Sequence, residues 1–324
     1  MAEITASMVK ELREATNAGM MDCKKALAEC GGDMTKAIDF LREKGLAQAA
    51  KKSSRIAAEG LSVLAISSDC KKAAVLEVNS ETDFVAKNEE FKEFVNGVVN
   101  IVLNSNVATV DELKATKFDA QGTVQDVLTA KIAKIGENMN VRRFDRVEVS
   151  NGVVAGYVHG AGKIAVLVGL ESDGSAAELE VLGKDIAMQV AAMNPKFITR
   201  DDVDPEYIAH EKEILLAQAM NELKEQKEAE AKKGIQPKVT DPEKEKMIME
   251  KKVEGRLQKE LKEVCLVEQV FVKDSDLTVG KLIENTAKKL GTTIKIAGVK
   301  RFEVGDGLEK KCENFAEEVA KQIK

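Results

Sequence analysis

The spacing of apolar residues changes several times along the chain, and this change constrains the fold more than any other feature. Over residues 4–45 apolar side chains recur at helical spacing in three short stretches, which breakers at 17–19 and 31–32 separate. We predict a three-helix bundle here, with Gly45 as the stop of its last helix. A basic, alanine-rich connector, residues 46–60, is expected to follow.

From residue 61 the period becomes two. Apolar residues alternate with polar ones at 61–65 and return at 73–78 after a polar turn, which predicts a β-hairpin. A polar loop then leads into an amphipathic helix, and a second helix is predicted at about 123–135. Residues 61–140 are therefore predicted to form a first α+β subdomain.

The same order of elements returns in the next part of the chain. Strands are predicted at 141–149, 153–159 and 164–170, and a helix follows them. The segments AAVLEVNSETD and IAVLVGLESDG occupy equivalent places in the two parts. We predict a second subdomain from residues 141–203 and 265–304, so that the α+β core contains two similar subdomains with antiparallel sheets.

A charged stretch, residues 204–264, interrupts this second subdomain. A thin apolar stripe in its first half is matched by another in its second half, and Pro237 and Pro242 prevent one helix from crossing between them. We predict an antiparallel coiled-coil hairpin that projects from the core. Residues 305–324 are predicted to form a C-terminal helical module.

Net charge and cysteine usage narrow the class of partner and compartment. The 324 residues carry a formal net charge of -6, so a phosphate backbone would meet net repulsion and nucleic acid is a poor candidate partner. We expect no membrane span, because no apolar stretch is long enough, and no signal or transit peptide. The five cysteines are scattered without a C-x-x-C pair, as is typical of reduced thiols. We therefore expect a cytoplasmic protein.

Groups for covalent or metal chemistry are scarce. The chain has two histidines, His159 and His210, which lie far apart in sequence, so a metal site or a catalytic triad lacks its parts. The segment GYVHGAGK, which ends at Lys163, has glycines one residue too far apart for a phosphate-binding loop. Cys23 is expected to be a packed structural thiol. We predict no catalytic residue, no metal and no cofactor.

The dipeptide Asp83-Phe84 is unusual, because a large aromatic residue follows a polar run where a hairpin leads into a helix. In one interpretation Asp83, with Thr82, caps the helix and Phe84 staples it to the sheet. In the other, Phe84 is an exposed wedge that enters a pocket of a partner. Composition alone favours the first interpretation.

Several long segments resemble the elongation factor Ts family, in family order and over nearly the whole chain. They are AEITASMVKELREATNAGMMDCKKAL at 2–27, EVNSETDFVAKN at 77–88, KIGENMNVRR at 134–143, YVHGAGKIAVLV at 157–168, VEGRLQKELKEVCLVEQVFV at 253–272 and RFEVGDG at 301–307. The resemblance implies an N-terminal module similar to ubiquitin-associated (UBA) domains, a core of two α+β subdomains, a coiled-coil insertion and a C-terminal module.

The resemblance also implies a function, guanine nucleotide exchange on elongation factor Tu, without covalent chemistry. The partner would be the GDP-bound form, and the nucleotide-free complex would be resolved by GTP. Asp83 and Phe84, with their neighbours Thr82 and Val85, match the motif whose aromatic ring inserts next to the Mg²⁺ site of the partner. Met20, Met21 and Lys24 match a contact with the partner's nucleotide-binding domain. Ile135, Gly136 and His159 match core positions implicated in binding or exchange.

Other functions stay open at this point. The helical bundle alone could bind a different client, or an enzyme could use Cys23 or His159. An RNA-binding role has less support, because the basic connector is short and lacks aromatic residues. The family includes forms that dimerise through the hairpin and forms that act as one-to-one partners, and the long charged segment 223–246 does not decide between a homodimer and a monomer.

Overall fold

The computed structural model describes residues 4–16, 18–120, 122–232 and 242–309. These residues divide into two compact units. The first unit contains the described residues up to Ala191 and from Ala297 onward, and the second unit contains Ala192–Ile296. The mixture of helices and antiparallel sheets confirms the predicted α+β class.

The first unit begins with three helices: α1 (Ala6–Thr16), α2 (Met20–Glu29) and α3 (Met34–Lys52). Asp33 starts α3 by accepting a hydrogen bond from the backbone N–H of Lys36 at 3.1 Å. The three helices share a small core of buried side chains: Val9, Leu12, Cys23, Ala26, Leu27 and Ala37. The helices themselves are confirmed, whereas the likeness to UBA domains stays a prediction.

The first sheet has three antiparallel strands in the order β1-β2-β5: β1 (Glu59–Ile66), β2 (Lys72–Ser80) and β5 (Met139–Glu148). Between β2 and β5 the chain forms α4 (Asp83–Lys87), α5 (Glu89–Asn104), α6 (Val110–Ala115), strands β3 (Lys117–Asp119) and β4 (Gly122–Thr123), and α7 (Val124–Ile135). Leu76 and Val78 of β2 pack in one core with buried residues of α5 and α7.

The second sheet contains β6 (Gly152–His159), β7 (Ile164–Glu171) and β10 (Lys295–Glu303) in the order β10-β7-β6. Ala73 and Val75 of β2 pack with Ala165 and Leu167 of β7, so the two sheets lie face to face. Helix α8 (Ala176–Met193) packs on β6, where a Cβ added at Gly183 would lie 2.6 Å from the Cβ of Ala155.

One strand lies in a different sheet from the one that its sequence position suggested. The strand predicted at 141–149 was expected to begin the second subdomain, but β5 is the third strand of the first sheet. The pairing of Val75 with Asp145 and of Ala73 with Val147 defines its register. Strand order depends on contacts between distant parts of the chain, which the repeated pattern of elements did not reveal.

The predicted helix stop at Gly45 is wrong. Helix α3 continues through Gly45 to Lys52, so the first part of the predicted connector is helical. Gly45 is buried, and a Cβ placed on it would lie 3.7 Å from Cγ2 of Thr129 on α7. A Cβ at this distance would make an ordinary van der Waals contact, so Gly45 is an internal residue of α3 without a left-handed backbone.

The second unit contains two long antiparallel helices, α9 (Pro205–Lys232) and α10 (Pro242–Val264). Tyr207 contacts Glu260 near one end, and Glu222 binds Arg256 and Lys252 farther along, which establishes the antiparallel direction. The predicted helical hairpin is therefore present, and coiled-coil geometry stays a prediction.

The second unit continues with β8 (Val270–Phe271), β9 (Asp274–Thr278) and α11 (Val279–Leu290). The predicted terminal helix lies outside the described residues from 310 onward. No helix in the described parts of the chain combines the length and the apolar character that crossing a membrane requires.

Candidate functional site

The candidate site begins at α4, a helix of five residues at the end of β2. Thr82 precedes it in an extended conformation (φ -128°, ψ 158°), and Asn88 follows it with φ -70° and ψ 129°. The Asn88 side chain then starts α5 by accepting hydrogen bonds from the backbone N–H groups of Glu90 and Phe91. The extended conformations of Thr82 and Asn88 therefore separate α4 from β2 and from α5.

Phe84 projects from this short helix. Its side chain is 78% exposed, whereas Val85 and Ala86 directly after it are 5% and 6% exposed and belong to the core. The amino group of Lys87 lies 5.6 Å from the centre of the Phe84 ring. The interpretation of Phe84 as a staple to the sheet is wrong, because a stapled ring would be buried. Phe84 is instead an aromatic side chain in solvent, on a helix whose next two residues pack in the core.

Asp83 is the first residue of α4 rather than its cap. Its carboxylate accepts a hydrogen bond from Nζ of Lys87 at 2.6 Å, which lowers the pKa of Asp83, and the charge of Lys163 lowers it further. No side-chain hydrogen bond caps α4, and the hydroxyl of Thr82 donates to Glu137. The predicted capping role of Asp83 and Thr82 is therefore wrong.

Glu137 receives both donors of Thr82. The backbone N–H of Thr82 lies 3.0 Å from Oε2, and the Thr82 hydroxyl lies 2.7 Å from Oε1. Glu137 directly follows Ile135 and Gly136, which end α7; Gly136 has φ 92°, a left-handed conformation that favours glycine. Ile135 is half-buried against the core. The structure thus brings the two predicted clusters, 82–85 and 135–136, next to each other.

His159 lies at the end of β6 and is exposed, with its Nδ1 3.1 Å from the hydroxyl of Tyr157. The turn that follows is held against β1, because Ser62 N donates to Gly162 O at 2.8 Å and Lys163 forms an ion pair with Glu59. Glu59 pairs in register with Ser80, two residues before Thr82. His159 therefore belongs to the same end of the sheets as α4.

Met20, Met21 and Lys24 lie on α2. All three are exposed, and the two methionines are 59% and 75% exposed. A cavity of about 170 Å³ lies between this bundle and α7, and its lining includes Gly19, Asp22 and Lys134. The beginning of α2 is therefore close to the end of α7 that carries Ile135 and Gly136.

The burial of Cys23 and the spacing of possible metal ligands bear on covalent and metal chemistry. Cys23 is fully buried, and burial raises the pKa of its thiol, which opposes formation of the nucleophilic thiolate. No group of three or more His, Cys, Asp or Glu side chains among the described residues could hold a metal ion.

Sequence reasoning missed two residues of this site, Glu137 and Lys163. Glu137 lies inside the KIGENMNVRR segment, but nothing in its spacing indicates that it reaches a loop 55 residues earlier. Lys163 was considered only as part of a rejected phosphate-binding loop. The one signal for either residue was its place in a segment that resembles a family.

Comparisons with known proteins agree with the motifs. The family model described as Elongation factor TS matches residues 81–306. Elongation factor Ts of Clostridioides difficile (strain 630) is 54% identical over 324 residues, which are 100% of both chains. Elongation factor Ts of Clostridium novyi (strain NT) is 54% identical over 322 residues, 99% of each chain, and that of Clostridium perfringens (strain 13 / Type A) is 53% identical over 318 residues, 98% of each. The chain therefore belongs to the elongation factor Ts family of translation elongation factors.

Proposed function

We propose that this chain is a guanine nucleotide exchange factor that binds elongation factor Tu–GDP and promotes release of GDP. The observation that carries the proposal is Phe84, an aromatic side chain 78% exposed on a short helix whose next two residues are buried. A large apolar side chain held in solvent on a fixed base is suited to entering a pocket of a partner.

Insertion of the Phe84 ring would act on the partner's Mg²⁺ and phosphate site. Mg²⁺ bridges the nucleotide phosphates to a GTPase, so displacing its ligands weakens the hold on GDP. By linkage, the factor by which this chain weakens GDP binding equals the factor by which GDP weakens binding of this chain. GTP then resolves the nucleotide-free complex. No covalent bond changes, and the ring needs neither protonation nor a cofactor.

The other predicted residues would supply affinity and orientation. Met20, Met21 and Lys24 are exposed on α2, where they are accessible to the nucleotide-binding domain of the partner. Ile135 and Gly136 adjoin the Thr82 loop through Glu137. His159 is exposed at the same end of the sheets. A cytoplasmic location and the absence of direct nucleic-acid contacts follow from this proposed role.

Release of a fluorescent GDP analogue from elongation factor Tu, chased with excess unlabelled GDP, tests the proposal. Wild-type chain should accelerate release catalytically. Phe84→Ala should fold normally and lose roughly 30-fold or more in exchange rate, because a central aromatic anchor contributes about 2 kcal/mol or more. The matched control is Val181→Ala on α8, since Val181 is 63% exposed and lies outside the proposed site. This control should exchange as fast as wild type.

Failure of well-folded wild-type chain to accelerate release would refute the exchange function. Equal affinity for elongation factor Tu with and without GDP would point instead to a binding module centred on the helical bundle. Normal exchange by Phe84→Ala would retain the function but reject the wedge.

The hairpin is proposed as a surface for self-association. Met220, Met247 and Ile248 are 57%, 55% and 63% exposed on α9 and α10. Sedimentation of the full chain should then report the mass of a dimer. The mass of a monomer at micromolar concentration would refute self-association and leave the hairpin as a contact for the translation partner.

A further inference from the structure

Two glutamates, one on each of two chain segments, hold the loop that leads into Phe84. Each accepts hydrogen bonds from the segment that carries the other. Glu137 accepts from the backbone N–H and hydroxyl of Thr82, at 3.0 and 2.7 Å. In the opposite direction, Glu81 accepts from the backbone N–H of Asn138 at 2.6 Å. Residues 81–82 and 137–138 are therefore joined by bonds that run both ways, which we call the double clamp.

Further contacts hold each side of the double clamp in place. The Glu81 side chain is only 12% exposed and also lies 3.4 Å from Nη1 of Arg55. The Asn138 side chain donates to the carbonyl oxygen of Arg55 at 2.7 Å. The hydroxyl of Ser80 donates to the carbonyl oxygen of Thr82 at 2.9 Å. Hydrogen bonds to a carboxylate are among the stronger ones in proteins, so the clamp contributes more than neutral contacts would.

Helix α4 needs such support. It has five residues, and isolated helices shorter than about 12 residues are marginal in water. Its first turn has no side-chain cap, and the Thr82 hydroxyl donates its proton to Glu137. The buried side chains of Val85 and Ala86 hold one face of the helix. The double clamp holds the N-terminal end of α4 through Thr82, two residues before Phe84.

We propose that Glu137 is a positioning residue for exchange, which acts by fixing the direction in which Phe84 projects. The proposal rests on the exchange function proposed above and deepens it. It also links Ile135 and Gly136 to Phe84. Glu137 follows these two residues directly and is bonded to Thr82, so a movement of the end of α7 would move the Thr82 loop as well. The two predicted clusters then form one rigid contact surface rather than two independent ones.

A direct test measures the motion of position 84 without any partner. The chain contains no tryptophan and two tyrosines, so Phe84→Trp creates a single tryptophan at an exposed position, which can be excited selectively at the red edge of the absorption band. Adding Glu137→Ala should increase the fast component of its fluorescence anisotropy decay, since the loop gains freedom. Glu137→Gln should restore the slow decay, because the amide can accept from the Thr82 N–H and donate to its hydroxyl oxygen. An unchanged decay in Glu137→Ala would overturn the proposal.

A kinetic test asks whether Glu137 acts through Phe84. Glu137→Ala should lower the exchange rate about 10-fold when Phe84 is present, which corresponds to losing about one charge-assisted hydrogen bond. In the Phe84→Ala background the same substitution should cost less than about 2-fold, because there is no ring left to position. Equal losses in both backgrounds would overturn the positioning role and leave only a general effect on stability.

The matched control is Glu112→Ala. Glu112 also accepts backbone N–H bonds at the start of a short helix of the same unit, from Ala108 at 2.7 Å and Thr109 at 3.4 Å, but it supports α6 instead of α4. Glu112→Ala should leave both the anisotropy decay and the exchange rate unchanged; an equal loss in this variant would overturn the specific role of Glu137.

The two proposals fail in different ways. If wild-type chain does not release GDP from elongation factor Tu, the exchange function fails whatever the anisotropy shows. If wild type is active but Glu137→Ala matches it in exchange rate and leaves the anisotropy decay of Phe84→Trp unchanged, the positioning role alone fails.

Discussion

Replacing Glu77 with alanine is expected to destabilise the first unit strongly. This carboxylate on β2 is fully buried and accepts four hydrogen bonds. Its Oε1 lies 2.9 Å from Nη1 of Arg142, 3.0 Å from Nδ2 of Asn79 and 2.8 Å from the backbone N of Gly305, and its Oε2 lies 2.6 Å from Nε of Arg143. The Glu77 carboxylate thus joins β2, β5 and the segment after β10.

The expected loss of unfolding free energy in Glu77→Ala depends on how well Arg142 and Arg143 remain paired. Removing one partner of a buried ion pair typically costs about 3–5 kcal/mol of unfolding free energy. Here the Arg142 and Arg143 side chains are 20% and 32% exposed and keep bonds to the backbone oxygens of Asp306 and Glu303, which moderates the loss. We therefore expect about 3 kcal/mol for Glu77→Ala. Glu77→Gln should cost about 2 kcal/mol, since its amide nitrogen would face the donor of Arg143.

Urea unfolding followed by circular dichroism measures these losses. Glu148→Ala is the matched control, because Glu148 of β5 pairs with Lys72 of β2 at 3.2 Å in an exposed ion pair. Exposed pairs contribute about 0–1 kcal/mol, so this variant should unfold almost as wild type does. If Glu77→Ala were destabilised by no more than Glu148→Ala, the buried carboxylate would not hold the strands together as argued.

The same carboxylate makes stability depend on pH. Burial alone would raise the pKa of Glu77, but the hydrogen bonds from Gly305, Asn79, Arg142 and Arg143 together lower it below its usual value of 4.5. Its contribution is therefore complete above about pH 4.5 and is lost as the pH falls through the lower pKa of the folded state. Glu77→Gln should show a smaller loss of stability between pH 5 and pH 3 than wild type. An identical pH profile would exclude this carboxylate as the cause.

Two further predictions concern the candidate site. Asp83→Ala should reduce the exchange rate less than Phe84→Ala does, because it removes the bond to Lys87 but leaves the ring in place. A larger loss for Asp83→Ala in the GDP-release assay would make the carboxylate, not the ring, the main element. Gly136→Ala should lower the free energy of unfolding in urea by about 1 kcal/mol, because φ is 92° and alanine is strained there although no side chain crowds the position. An unchanged unfolding midpoint would mean that the turn relaxes without cost.

Local patterns in the sequence predicted most of the secondary structure. The helix expected at 123–135 is α7, and it begins after a Thr123 capping box and ends at Gly136 in a left-handed conformation. Helix α11 is bounded in the same way, because the Thr278 side chain caps its start and Gly291 ends it in a left-handed conformation. Both follow from capping and apolar spacing, which depend on neighbouring residues and are therefore visible in one sequence.

The errors arose where the outcome depends on distant contacts. Gly45 could either end a helix or lie inside one, and the continuation of α3 to Lys52 shows that the second applies. The strand at 141–149 could pair in either sheet, and its pairing with β2 decides the matter. Both choices rest on tertiary packing, which overrides local signals of comparable strength.

The candidate site shows the same limit for a single residue, Glu137. Resemblance to a family singled out Phe84 and Ile135, but only the structure shows that Glu137 is bonded to Thr82, across 55 residues of sequence. A carboxylate just past the end of a helix is an ordinary surface residue in any local pattern. Its proposed importance comes from the donors that it meets, and in particular from a five-residue helix with no cap of its own. The proposed orientation of the exposed ring thus depends on a carboxylate that no local sequence motif distinguishes from its neighbours. Exchange should accordingly be more sensitive to Glu137 than to exposed glutamates of the first unit that do not hold α4.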